Sequence, residues 1–194
     1  MLLKLYQVGQ PILRKKAKTL TAAKLKSKHT QDIIDFMVST LRDAPGVGLA
    51  APQVGEALKI VIIEDKAKYH QPIPKDLLKE QGRKTVNLKV LINPEIEVID
   101  ESNNVYFEGC LSLDGYVAAV PRHKSVRVKA IDRNGKSLSF IAKDWQARIV
   151  QHEMDHLEGK IYIDMMLKNS FMNLNNFSKL WRKAKQADIS SSFH

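Results

Sequence analysis

The run His152-Glu153-Met154-Asp155-His156 is the strongest constraint on what this chain folds into. Its histidines stand four positions apart, a little more than one helical turn. On a helix both imidazoles therefore leave from one face and can grip one metal ion. Glu153 then lies about 100° around the axis from His152, beside such an ion and not on it, where a base for an attacking water belongs. The flanks also read as helix. Asp144 is placed to cap the start, Ala147, Val150, Met154 and Leu157 share one face, and Gly159 supplies the stop. The alternative is a surface helix that carries charged and imidazole side chains without a ligand.

Elsewhere the chain favours strands. Ile33, Ile34, Phe36, Met37 and Leu41 mark an earlier helix, capped by Thr30 and ended by Pro45-Gly46. Gly46 to Gly55 holds three glycines and a proline, so no regular structure is expected there. Leu58 to Ile63 reads as a buried strand, and the polar stretch 64–86 as a surface excursion. Val90 to Ile99 returns to strand, with Pro94 at an edge or break. Ser125–Ile131 and Ser137–Ile141 form a hairpin about Asn134-Gly135, because both turn residues tolerate positive φ. A final helix is expected over 173–187. Strands precede the main helix without βαβ alternation, so the fold class is α+β. We expect antiparallel β-sheets packed around a central helix carrying the His-Glu-x-x-His run, with a C-terminal helix.

Composition sets the limits. A chain of 194 residues suggests one domain, long enough for a substantial core. Cys110 is the only cysteine, so no intramolecular disulfide is possible and nothing argues for secretion. No run of 18 apolar residues exists, so no transmembrane helix is expected. The net charge is +10, and all of the excess is terminal. Residues 1–30 carry +8 and residues 165–194 carry +4, whereas 31–164 carry −2. The basic ends either face a polyanion or are solvated lysines. A transit peptide is the other reading of an acid-free amino terminus, but this one has one Arg, one Ser and a turn-like Gly9-Gln10-Pro11.

Two histidines leave one protein ligand to find. Tyr162 stands where a metzincin would have its third histidine, and no glutamate follows Glu158 to serve as in a gluzincin. Upstream, Cys110 lies in Glu108-Gly109-Cys110-Leu111-Ser112. As a thiolate it makes a strong third ligand; alone, it would read as a small buried hydrophobe.

Gly46–Gly55, Glu108–Ser112 and Gln151–Gly159 taken together closely resemble the three signature motifs of the peptide deformylases, G-x-G-L-A-A-x-Q, E-G-C-x-S and Q-H-E-x-D-H. Tyr6 to Arg14 and Val120-Pro121-Arg122 extend the resemblance over roughly 3–168. It implies a catalytic domain over 1–168 and a basic helical extension of the same domain over 169–194. It also implies a hydrolase that removes the formyl group from formylmethionine of newly made polypeptides. Cys110, His152 and His156 would hold one divalent ion, natively Fe(II), with Zn(II), Ni(II) or Co(II) possible in purified protein. Glu153 would act as general base and then acid, and the Gln53 side-chain amide and the Leu111 N–H would stabilise the oxyanion.

The methionine pocket would be walled by Gly46, Val47, Gly48, Glu108 and Leu111, and by the helix turn holding Trp145 and Ile149. Core packing is the alternative role for those last two. Asp114-Gly115-Tyr116 and Trp145-Gln146-Ala147-Arg148 resemble the branch that includes organellar deformylases. Val117 stands where the bacterial pattern has arginine. The expected partners are N-formylmethionyl nascent peptides, with ribosomal RNA contacted through the basic end around Lys179–Lys185; neither a membrane nor DNA is expected. The expected setting is the bacterial cytoplasm, with an organellar matrix or stroma as alternative. Two other readings are a zinc peptidase and an RNA-binding module with a decayed site.

Overall fold

The structure is a computed structural model that describes residues 1–193. Two amino-terminal helices, α1 (Ala22–Lys26) and α2 (Lys28–Asp43), precede strands β1 (Gly48–Ala50) and β2 (Ile60–Asp65). Short helices α3 (Ala67–His70) and α4 (Lys75–Glu80) occupy the polar excursion. The long strands β3 (Val86–Cys110) and β4 (Leu113–Ile131) follow, then β5 (Ser137–Lys143) and the central helix α5 (Asp144–Leu157). The tail carries β6 (Met172–Asn173), α6 (Leu174–Asn176), a π-helical turn over Phe177–Trp181 and α7 (Gln186–Ser192).

The named strands form one antiparallel sheet in the order β1-β2-β3-β4-β5, with β6 added to β4. The β3–β4 ladder shifts register between Ile92 and Glu95, around Pro94, and again near Asp100. These shifts let two very long strands curl, because each irregularity adds local twist. The sheet thereby wraps α5. Ala147, Val150 and Leu157 of α5 pack with Val61, Ile63, Val126 and Val128 of the sheet. On the opposite side Ile33, Ile34, Met37 and Leu41 of α2 meet Leu49, Ile60 and Ile62. Alternation along β2 thus feeds both cores from a strand buried at every position.

Four local expectations are corrected. Ser27, and not Thr30, caps α2: its hydroxyl accepts the Thr30 N–H, and Thr30 is itself buried in the first turn. Asp144 does not cap α5; it has φ +50° and makes no cap bond, and Lys143 takes the cap position. Gly46–Gly55 is partly regular, because Gly48–Ala50 pair with β2 and Ala51–Val54 form a 3-10 turn. The helix expected over 173–187 is broken into α6, a π-turn and α7, because the segment follows the aromatic surface of β3 instead of standing free. Among the described residues no helix is long and apolar enough to cross a membrane.

Candidate metal centre

Cys110 ends β3 at the tip of the long hairpin, where Leu111 and Ser112 form the turn before Leu113. The amino-terminal segment braces this tip. Tyr6 N–H donates to the Gln53 carbonyl and Val8 N–H to the Ser112 carbonyl, at 2.8 and 2.7 Å. The Gln7 amide donates to the Leu111 carbonyl at 2.9 Å. Against the tip lies the polar face of α5. Cys110 Sγ stands 3.2 Å from His156 Nε2, and one ligand atom from each of Cys110, His152 and His156 lies within 4.8 Å of the others.

The histidines are held by what surrounds them. His152 Nδ1 is 2.9 Å from Glu108 Oε2, which leaves Nε2 as its ligand atom. Tyr162, at the position of a metzincin's third histidine, stacks on His152 at 6.2 Å between ring centroids. Glu108 is a buried carboxylate with three cationic or imidazole partners. Arg122 grips it through two bonds of 2.9 Å, Arg148 reaches it at 2.6 Å, and His152 completes the set. Burial opposes its charge, but Arg122, His152 and Arg148 outweigh that and hold the carboxyl well below the usual carboxylate range. Arg122 also donates to Asp155 at 2.6 Å.

Glu153 differs. It is 3% exposed, and its Oε2 has no hydrogen-bond partner. Burial pushes its carboxyl up to about 7, against the lowering effect of His152. Gly48 explains how it fits: a Cβ at that position would lie 2.2 Å from Glu153 Oε1. Gln53 is 1% exposed and oriented by Ala50, whose N–H donates to Oε1 at 2.8 Å. Its Nε2 is thereby turned toward Cys110 Sγ and Ser112 Oγ, at 3.5 and 3.3 Å.

These groups open on a cleft of about 600 Å³. Gly46, Val47 and Gly48 line one wall, and Glu108 and Leu111 another. Trp145 and Ile149 also line it while packing in the core around α5. All the residues expected at the site are thus brought to one cleft except His156, which meets it from behind through Cys110. Arg148 and Asp155 were missed as participants. The signal was present in the spacing: Arg148, His152 and His156 recur every four positions and share one helix face. A buried charge in phase with two histidines needs a buried partner, and Glu108 is that partner.

The donor set fits a divalent transition-metal ion. Cys110, His152 and His156 would hold it through one sulfur and two imidazole nitrogens, and the unpartnered buried carboxylate of Glu153 lines the same cleft as Cys110 and His152. A curved antiparallel sheet around a helix, with a cysteine and two histidines grouped beside a buried carboxylate, places the chain among α+β proteins with a candidate metal centre. The polypeptide deformylase family profile matches residues 2–171. A chloroplastic peptide deformylase 1A of Solanum lycopersicum is 44% identical over 170 residues, 88% of this chain and 61% of that protein. The chloroplastic/mitochondrial form of Arabidopsis thaliana is 43% identical over 168 residues, 87% of this chain and 62% of that protein. This chain therefore spans about three fifths of the length of these two relatives. A Met-Ala-Ser-bound class I type b peptide deformylase from Acinetobacter baumannii superposes with a TM-score of 0.76 at 29% identity, over 86% of this chain and 99% of that one. The chain belongs to the polypeptide deformylase family, whose members are metal-dependent.

Proposed function

We propose that this protein removes the formyl group from the N-terminal formylmethionine of newly made polypeptides. The observation that carries this reading is the juxtaposition of Cys110, His152 and His156 with the unpartnered, buried Glu153 at the floor of an apolar cleft. The Acinetobacter relative bound to Met-Ala-Ser supports the same substrate class.

Cys110, His152 and His156 would hold the ion, which when bound supplies Lewis acidity and lowers the pKa of the attacking water. Glu153 takes the proton of that water at Oε2 and later gives it to the departing amine. Its buried carboxyl, free of other partners, suits both directions of transfer. The oxyanion formed at the formyl carbon is met by the Gln53 amide, already oriented by Ala50, and by the Leu111 N–H at the hairpin tip. The Cys110 thiolate selects a soft or borderline ion, natively Fe(II), with Zn(II), Ni(II) or Co(II) acceptable to the same donors. Cys110 lines the cleft, so peroxide should inactivate the iron form rapidly; an iron enzyme that keeps its activity in peroxide would refute that choice of ion.

The direct test is release of formate from formyl-Met-Ala-Ser by protein loaded anaerobically with Fe(II) or Ni(II). No formate, with the ion shown to be bound, would overturn the proposal. Glu153→Ala should keep the ion and lose turnover; an active Glu153→Ala protein would mean another group moves the proton. Substrates of this kind arise where synthesis starts with formylmethionine, in the bacterial cytoplasm or in an organellar matrix or stroma. The names of the two plant relatives support the organellar setting.

Contact with ribosomal RNA is also proposed. Lys179, Arg182 and Lys185 are exposed on the tail, although Lys185 lies 3.5 Å from Asp76. Neutralising Lys179, Arg182, Lys183 and Lys185 should weaken co-sedimentation with ribosomes and flatten its salt dependence.

A further inference from the structure

The catalytic body alone does not close the cleft. Leu174, in the tail beyond the residues matched by the family profile, also lines it. Two sets of contacts seat this residue. On one side β6 pairs with β4, Tyr116 opposite Asn173 and Val117 opposite Met172, and Phe171 stacks on Tyr116 at 5.0 Å with the rings nearly parallel. On the other side the tail is anchored to β3 through Phe107, whose ring lies 5.1 Å from Phe177, 5.8 Å from Trp181 and 5.9 Å from Phe193. Ile189 is buried under the same cluster. The Asn173 side chain caps the turn that begins at Leu174 by accepting the Asn176 N–H at 2.8 Å.

The result is a built ledge. Leu174 is 48% exposed and Tyr116 43%, while Phe107 beside them is partly covered. Glu153, by contrast, lies buried at the floor. A formyl group at the metal ligands places the methionine side chain within the cleft, and the following residues must leave across its exposed rim. An exposed apolar rim continuous with a substrate cleft gains by covering itself with apolar side chains. The arginines that line the cleft are both engaged, Arg83 with Asp65 at 2.8 and 3.1 Å and Arg148 with Glu108 at 2.6 Å.

We infer that the docked tail makes Leu174, with Phe107 and Tyr116, a specificity wall for the residues after formylmethionine, favouring chains with apolar side chains there. The inference rests on the deformylase reading of the same cleft. The test compares kcat/KM of the metal-loaded enzyme for formyl-Met-Leu-Leu and formyl-Met-Ser-Ser. The leucine peptide should be favoured by about tenfold, as differences of a few methylenes in a pocket allow. Leu174→Asp should cut that ratio about fivefold or more, mainly through KM. Leu180→Asp places the same charge on the same tail at a side chain 73% exposed and outside the cleft, and should keep the ratio. Equal ratios in the wild type, an unchanged ratio in Leu174→Asp, or an equal fall in Leu180→Asp would each overturn the wall. Calorimetric binding of the unformylated Met-Leu-Leu and Met-Ser-Ser should show the same order without turnover. An absence of formate from every peptide would instead refute the deformylase reading; the binding order would still decide whether the wall exists.

Discussion

Glu108 shows how much of the site is electrostatic support for one imidazole. A buried carboxylate alone would protonate; two guanidinium groups keep it ionised, and it in turn orients His152. Arg148 also donates to the carbonyls of Asn104 and Val120, at 2.6 and 2.9 Å, so it ties α5 to both long strands. Arg148→Met should therefore cost about 3 kcal/mol of stability and about 10–100-fold in metal affinity. Urea unfolding and chelator competition check the two losses; a variant unchanged in both would contradict this role. Gly48 is a tighter constraint. Gly48→Ala drives a methyl group into the Glu153 carboxylate and should lower kcat by about 10²-fold with the fold intact. Full activity in that variant would show that Glu153 can work from a displaced position. The grouping of His152, Glu153 and His156 was legible because their spacing is local to one helix, whereas Cys110 reaches them from the end of β3. Arg148 and Arg122 were not read as a pair, since the carboxylate they share lies 40 and 14 residues away.

The elements hold together through a few polar ties across apolar seams. Arg42 near the end of α2 grips Glu64 of β2 through two bonds, 2.8 and 2.9 Å, and Lys66 adds a third contact at 3.3 Å. The Arg42 hydrogen bond outweighs burial and holds the Glu64 carboxyl below its usual value. A depressed folded-state pKa means the contribution is complete above the ordinary value near 4.5 and disappears as pH falls through the folded-state value. Glu64→Gln should accordingly be less stable than wild type at pH 7, with the gap closing as pH drops below about 4.5. Parallel urea titrations across that range would show a constant gap if the pair were irrelevant to acid sensitivity. At the start of α2, Ser27→Ala should cost about 1 kcal/mol, the ordinary value of a lost N-cap; no measurable loss in urea unfolding would show that the Ser27 hydroxyl does not hold that end of the helix. The periodic stripes of α2 and α5 and the Asn134-Gly135 hairpin were readable, because local patterns decide them. The curl of β3 and β4 was not, because register shifts answer to what the sheet wraps.

Across the molecule, charge and shape divide differently. The +10 belongs to the ends, yet the carboxy-terminal end is not a free basic arm. It lies on the body through Phe107, Phe177, Trp181 and Phe193, with Gln186 N–H donating to Glu80 at 2.8 Å. Trp181→Ala removes the ring that touches both Phe107 and Phe193, whose centroid is 4.9 Å away. Limited proteolysis should then cut within 172–193 faster while the body resists as before. Unchanged cleavage would mean that the strand pairing of β6 alone holds the tail.

By itself, the sequence determined the helix with its two histidines and glutamate and the α+β class, since each depends on residues within one element or on the order of elements. Tertiary structure decided the rest. It brought the hairpin tip to that helix, supplied Glu108 with two arginines, emptied the space at Gly48 for Glu153, and laid an aromatic tail against the cleft. Those outcomes depend on distances between residues far apart in the chain, which only packing around a shared core sets.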